Sequence, residues 1–185
     1  MSKRELFCSA AVVLITWAGG SAQESAARPS GQPRDLPNIS VRIDNHASVP
    51  AETLATAQTQ VEEIFALAGV KVRWDGERPR VTLRLVNLTT AGGNPRSSML
   101  GLAVQPERHA FVFWDRVKRI DSARAPEPGI MLGRVMAHEL GHLLLPPGPH
   151  AHHGAMRGEI GPGPPDHIAF STSDARRIRE ALARS

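Results

Sequence analysis

Apolar residues run almost without a break from Ile130 to Leu145, interrupted by Arg134 and by the string His138-Glu139-Leu140-Gly141-His142. The run is too long for a buried strand and predicts a buried helix. Upstream the pattern is shorter and alternating. Ile39-Ser40-Val41-Arg42-Ile43 predicts a first strand. Pro50 stands where a helix tolerates proline, and Leu54, Val61, Ile64, Phe65 and Leu67 form an apolar stripe that ends at Gly69. Val70–Trp74 and Val81–Val86 predict two further strands across a Gly-Glu-Arg-Pro turn. Met99–Val104 and Ala110–Trp114 predict two more, after the Gly92-Gly93-Asn94-Pro95 loop and the Pro106-Glu107-Arg108 turn respectively. Ser171 or Ser173 can cap a last helix running through Arg184. Strand, helix, four strands, long helix, turn and closing helix make an α+β domain.

The first residues follow another rule. Lys3 and Arg4 precede a short apolar stretch, Leu6–Trp17, and Gly20-Ser21-Ala22 offers small residues for cleavage, so residues 1–22 read as a signal peptide. Residues 23–38, rich in Ala, Pro, Ser, Gly and Arg, read as a disordered linker or short pro-segment, and 39–185 as one domain. The expected location is secreted or periplasmic, with no stable membrane span once the leader is cleaved. Cys8 would leave with the leader, so the mature chain would rely on its apolar core and on bound metal rather than on disulfides. Loss of Lys3, Arg4 and Glu5 would take the formal charge from +4 to +3, too small an excess to point to nucleic acid. The basic residues look scattered apart from Arg176-Arg177 and Arg179, which read as a solvated helix face.

The long helix carries the chemistry. Residues i and i+4 stack on one face, so the imidazoles of His138 and His142 can reach one ion about 2.0 to 2.1 Å away, and Glu139 is turned roughly 100° from His138. Two histidines and a glutamate in this spacing form a zinc-hydrolase pattern. Three fixed positions in a chain with eight histidines are a weak signal alone; the helical context strengthens it. A catalytic zinc takes three protein ligands and leaves one position open. Pro146-Pro147-Gly148-Pro149 cannot continue the helix, so the chain must turn and bring His150, then His152 and His153, back toward the metal. His150 is the first imidazole after that turn. His152, His153, Glu159 and Asp166 remain alternatives.

With Gly154-Ala155-Met156 next, the segment resembles the metzincin clan of zinc peptidases, whose longer motif is His-Glu-x-x-His-x-x-Gly-x-x-His followed by a methionine-containing turn. Leu145 stands at the clan's glycine and Gly148 at its third histidine, so the connecting loop reads as expanded by two residues, with Gly148 displaced as the turn residue. The string is also similar to small secreted bacterial peptidase-like proteins with the longer spacing. The resemblance implies His138, His142 and His150 as Zn2+ ligands, Glu139 as catalytic base, Met156 as the turn methionine and, over 39–185, a metzincin-like zincin catalytic domain with a mixed twisted sheet, an active-site helix and a C-terminal helix. It also implies that an edge strand beside the site pairs with the substrate backbone; Met99–Val104 is the candidate, Gly101 permitting close approach, and an interior strand is the alternative for that segment. The chain has no tyrosine. A tyrosine oxyanion stabiliser is therefore excluded, and His167, Arg157 or zinc alone would have to serve.

The function expected on these grounds is an exported zinc-dependent endopeptidase that acts on peptide or protein substrates through a metal-activated water. The alternatives are a noncatalytic zinc-binding protein and a degenerate peptidase fold acting as a binding module. Glu139 argues against the former, because a structural site needs no base.

Overall fold

A computed structural model of the protein describes residues 36–88, 99–120, 127–160 and 168–184. The expected signal peptide, Asp166, His167 and most of the linker lie outside them. Among the described residues the domain is α+β, with five strands in one mixed sheet and four helices. In chain order these are β1 (Asn38–Asn45), α1 (Ala51–Leu67), β2 (Lys71–Trp74), β3 (Val81–Val86), β4 (Gly101–Val104), β5 (His109–Phe113), α2 (Trp114–Val117), α3 (Pro128–Leu144) and α4 (Thr172–Ala183). No described helix is long and apolar enough to cross a membrane.

The sheet order is β2-β1-β3-β5-β4. The first four strands are parallel, and β4 is the antiparallel edge, with Gly101 opposite Val112 and Val104 opposite His109. Parallel strands need both faces covered, which accounts for the nearly continuous burial of β3. Helices α1 and α3 lie against each other, and two glycines of α3 make that approach close. A Cβ on Gly129 would fall 2.7 Å from Thr56 Cβ, and one on Gly133 would fall 2.6 Å from the Ala57 carbonyl oxygen. The expected apolar stripe of α1 holds at Val61, Ile64 and Phe65, which are buried. It fails at Leu67, 66% exposed, because that position falls about 100° before Ala68 on the helical wheel and leaves the buried face.

Boundaries follow local chemistry. Pro50 is the N-cap of α1 rather than its first residue. The Ser171 side chain accepts from the Asp174 backbone N–H at 3.1 Å and so caps α4. Helix α3 stops at Leu144; Leu145, with proline next, is extended at φ −95° and ψ 151°. Gly154 at φ +78° and Arg108, a non-glycine residue, at φ +55° both take left-handed backbone conformations. Gly148, read as the displaced turn residue, is not among the positive-φ glycines; Gly154 is.

Candidate metal centre

Helix α3 is buried along nearly its whole length, including His138 and Glu139, which are 4% and 5% exposed. A helix so enclosed fixes its side chains by packing. His138 and His142, one turn apart, bring their Nε2 atoms to 3.0 Å from each other. His150, delivered by the exposed segment after Pro149, brings its Nε2 to 3.1 Å from that of His142. The three together form a cluster able to hold a metal ion. Three ligands about 2.0 to 2.1 Å from a tetrahedral ion stand roughly 3.3 Å apart, close to what is observed.

Proton accounting strengthens the fit. His138 Nδ1 lies 2.8 Å from the Ala155 carbonyl oxygen, which can only accept, so Nδ1 carries the hydrogen and Nε2 of the neutral ring is left with a lone pair. His142 Nε2 has at most one hydrogen to share between two neighbouring nitrogens. In neutral rings with His138 so fixed, a cation at the centre gives all three Nε2 lone pairs a partner at once. Burial and the neighbouring imidazoles hold His138 down to about 4, and His142 is lowered mainly by burial and then by His150, which keeps both neutral and ready to ligate at ordinary pH. The fixed second nitrogen of His138 is the usual way an outer partner sets the tautomer of a ligating histidine.

The loop that supplies Ala155 is built for that contact. The Ala151 N–H donates to the Met156 carbonyl at 2.9 Å and Arg157 N–H to that of Gly154 at 3.1 Å, closing a tight turn. At Gly154 a side chain would be strained and would also sit 2.5 Å from the Ala169 carbonyl oxygen. Met156 is buried under α3, where a Cβ on Gly141 would lie 2.5 Å from Met156 Sδ and 2.9 Å from Phe170. The glycine inside the His-Glu-Leu-Gly-His string is thus the notch that admits the methionine. Gly158 plays a similar part for His150, whose Cβ would stand 3.3 Å from an added methyl.

Glu139 is outside the three-nitrogen cluster. Its carboxylate packs on β4, where a Cβ on Gly101 would lie 2.5 Å from Oε1 and 2.6 Å from Cγ. At Gly101 the expected neighbour is a substrate backbone; the group that packs against it in the structure is Glu139. Desolvation pushes this carboxyl up to about 8. It has no hydrogen-bond or ion-pair partner among the described residues.

The other candidates stand apart. His152 and His153 are exposed and outside the cluster, and Glu159 is exposed with Arg157 Nη2 3.7 Å from its Oε2. That pairing turns Arg157 toward a surface carboxylate. Three contributors escaped the sequence reading. Gln105 Nε2 donates to the carbonyls of His142 at 2.6 Å and Leu145 at 2.7 Å, satisfying the end of α3 where prolines have removed the next donors. Phe170 completes the floor with Met156, and Gly158 seats His150. Only the Gln105 contact had a signal available, namely that a helix stopped by prolines needs donors from elsewhere. No protein-family model matches the chain, and no curated protein matches it.

Proposed function

We propose that the protein is an exported, zinc-dependent endopeptidase with a metzincin-like catalytic domain, acting on peptide or protein substrates. The observation that carries this reading is a three-imidazole cluster, two of whose histidines share a helix with a buried glutamate that has no partner among the described residues. His138, His142 and His150 would hold Zn2+, three nitrogen ligands with a fourth position left to solvent or substrate. The metal, when bound, would polarise the scissile carbonyl and lower the pKa of water to about 7.

The chain's own residues do the rest. Glu139, held against Gly101, accepts the proton from the attacking water and returns it to the leaving amine. Its raised pKa suits both halves of that exchange, since a base poised near the working pH both takes and gives a proton, and a nearby cation draws it back toward ionisation. His138 is kept in one tautomer by Ala155, so the ligand field does not wander during turnover. Edge strand β4, beside Glu139, offers its backbone to an extended substrate in the manner of strand addition. A noncatalytic zinc-binding role gives no reason for an ionisable group desolvated at that position.

The test is Glu139→Gln with zinc content and turnover of an unfolded protein measured on the same sample. The expected outcome is retained zinc with turnover reduced at least about a hundredfold, the usual scale for loss of a general base. Near-normal turnover in the zinc-loaded variant would sink the mechanism, and one bound zinc with no turnover in the parent protein would favour the noncatalytic role.

A further inference from the structure

Folding gathers arginines that look scattered in the sequence. Arg80 before β3, Arg108 in the β4–β5 turn, and Arg177 and Arg184 of the α4 segment line one cleft of about 440 Å³, with Gln105 and the Leu143–Pro146 stretch as its floor. Glu180 is the single acidic residue on its wall, and its Oε1 lies 3.9 Å from Arg176. Arg80, Arg108, Arg177 and Arg184 have no carboxylate within ion-pair distance among the described residues. The α4 cluster that reads from sequence as a solvated face is therefore divided three ways. Arg176 pairs with Glu180, Arg179 donates to the Ala68 carbonyl at 2.6 Å, and Arg177 faces the cleft.

Two further observations set this cleft apart from an ordinary basic surface. Arg80 Nη2 donates to the Ala181 carbonyl at 2.9 Å, which fixes its guanidinium at the wall, and burial together with Arg108 lowers its pKa, so like charges are held together against their own repulsion. Arg108 occupies the left-handed region at φ +55°, where glycine or asparagine is the inexpensive choice. The backbone of the turn is satisfied, the Arg108 N–H donating to the Gln105 carbonyl at 3.1 Å and the Arg108 carbonyl accepting from the Thr82 N–H at 3.0 Å, while its guanidinium has no partner among the described residues.

We propose that this cleft is an anion-recognition site for an acidic polypeptide segment, separate from the three-histidine cluster. Guanidinium forks match carboxylates geometrically, and four of them against one glutamate give the cleft a strong positive excess. The occupant is a peptide because the site is a concave cleft with an apolar strip, Val81 and Leu143 to Pro146, beside the charges. Such a lining suits a chain that alternates acidic and apolar side chains. The cleft also begins at Gln105, one residue past β4, so an extended chain laid along that edge strand runs toward it. The binding stands without the peptidase reading; only the identity of the occupant as substrate rests on it.

The experiment measures binding without turnover, using a fluorescein-labelled peptide that alternates Glu and Leu and the same peptide with Gln for Glu. Arg108→Asn with Arg177→Gln is compared with Lys71→Gln with Arg73→Gln, an equal loss of charge on exposed positions of β2 at the opposite edge of the sheet. The parent protein should bind the Glu peptide at least about tenfold more tightly than the Gln peptide. The Arg108/Arg177 pair should erase that preference, and the β2 pair should keep it. Arg108→Asn alone should weaken binding while leaving the melting temperature unchanged or higher, because asparagine tolerates the turn conformation. Equal affinity for the two peptides overturns the proposal, as does equal weakening by both charge pairs. Arginine-dependent binding to vesicles of anionic phospholipid, with none to the peptide, overturns it in favour of a membrane partner.

Discussion

His138 and His142 project from a helix buried on nearly every side, and the first is further held through Nδ1 by Ala155, whereas His150 arrives on an exposed segment after three prolines and a glycine. The same three-nitrogen cluster is thus half scaffold and half loop. Burial makes the helical pair costly to misplace: moving it means moving α3 against α1 and the sheet. The loop side is held by fewer contacts, chiefly the turn at 151–157 and the Gly158 notch, and so is set by the turn's geometry rather than by a core. Catalytic constellations commonly rest on such a division, a rigid element bearing part of the site and a loop completing it.

The largest expected effect tests whether the loop half is a true ligand. His150→Ala should weaken zinc binding by more than the roughly 10- to 100-fold that loss of a supporting partner costs, since water would then fill half the tetrahedron. His152→Ala and His153→Ala, outside the cluster, should each change affinity little. Zinc titration of the three single variants reads this directly. Unchanged affinity in His150→Ala would move the third ligand elsewhere in the chain.

On the helix side the sharpest probe is Gly101→Ala. The added methyl would stand 2.5 to 2.8 Å from three Glu139 atoms, and because Glu139 is the flexible partner, its carboxylate rather than the strand must give way. Turnover should fall about ten- to a hundredfold, the scale of an ångström's misplacement of a catalytic group. Stability should drop by about 1 to 3 kcal/mol and zinc should be retained. Full activity in Gly101→Ala would mean that the contact of Glu139 with β4 does not matter to turnover.

These contacts also mark what could be read in advance. The helical period alone puts His138 and His142 on one face; the prolines at 146, 147 and 149 announce the stop, and the serines at 171 and 173 announce the last cap, which Ser171 makes. All three are local, set within a few residues. The rest depends on chain segments far apart. Gly101 meets Glu139 across the packing of an edge strand on a helix, Gly141 meets Phe170 beneath the site, and Gln105 closes the end of α3. The arginine cleft draws on positions from 80 to 184. Helix α2, four residues long, is too short to leave a period at all. Leu67 shows the opposite failure, an apolar residue that fits the composition of a stripe and misses its phase.

A smaller effect separates the buried glutamate from the histidines by pH. In the metal-free protein the carboxyl of Glu139 is raised from 4.5 to about 8, so its contribution to stability is complete below the unfolded value and is lost as pH rises through 8. His138 runs the other way: lowered from 6.5 to about 4, it contributes fully above 6.5 and loses that contribution as pH falls through 4. Between 6.5 and 8 only the glutamate slope of this pair remains. Thermal unfolding of the metal-free protein should therefore show a melting temperature that declines over that window, and Glu139→Gln should flatten the decline. An equal slope in both proteins would show that Glu139 is not the group responsible.

The smallest effect is expected at Met156, where the two halves of the site touch. Its sulfur lies in the notch left by Gly141, with Phe170 alongside, and it makes no ligand contact in the three-nitrogen cluster. What the position requires is an apolar side chain of about that volume, and leucine supplies one, so Met156→Leu should cost under about 1.5 kcal/mol and shift the melting temperature by a few degrees. Zinc affinity and turnover should stay within about a factor of a few, because the Ala155 carbonyl that fixes His138 belongs to the backbone of the turn and not to the methionine side chain. Calorimetry, zinc titration and turnover on the same preparation distinguish the outcomes. A leucine variant that melts normally yet cannot hold zinc would show that the flexible thioether, threading under α3 where a branched chain does not, sets the height of the loop and with it the reach of His150.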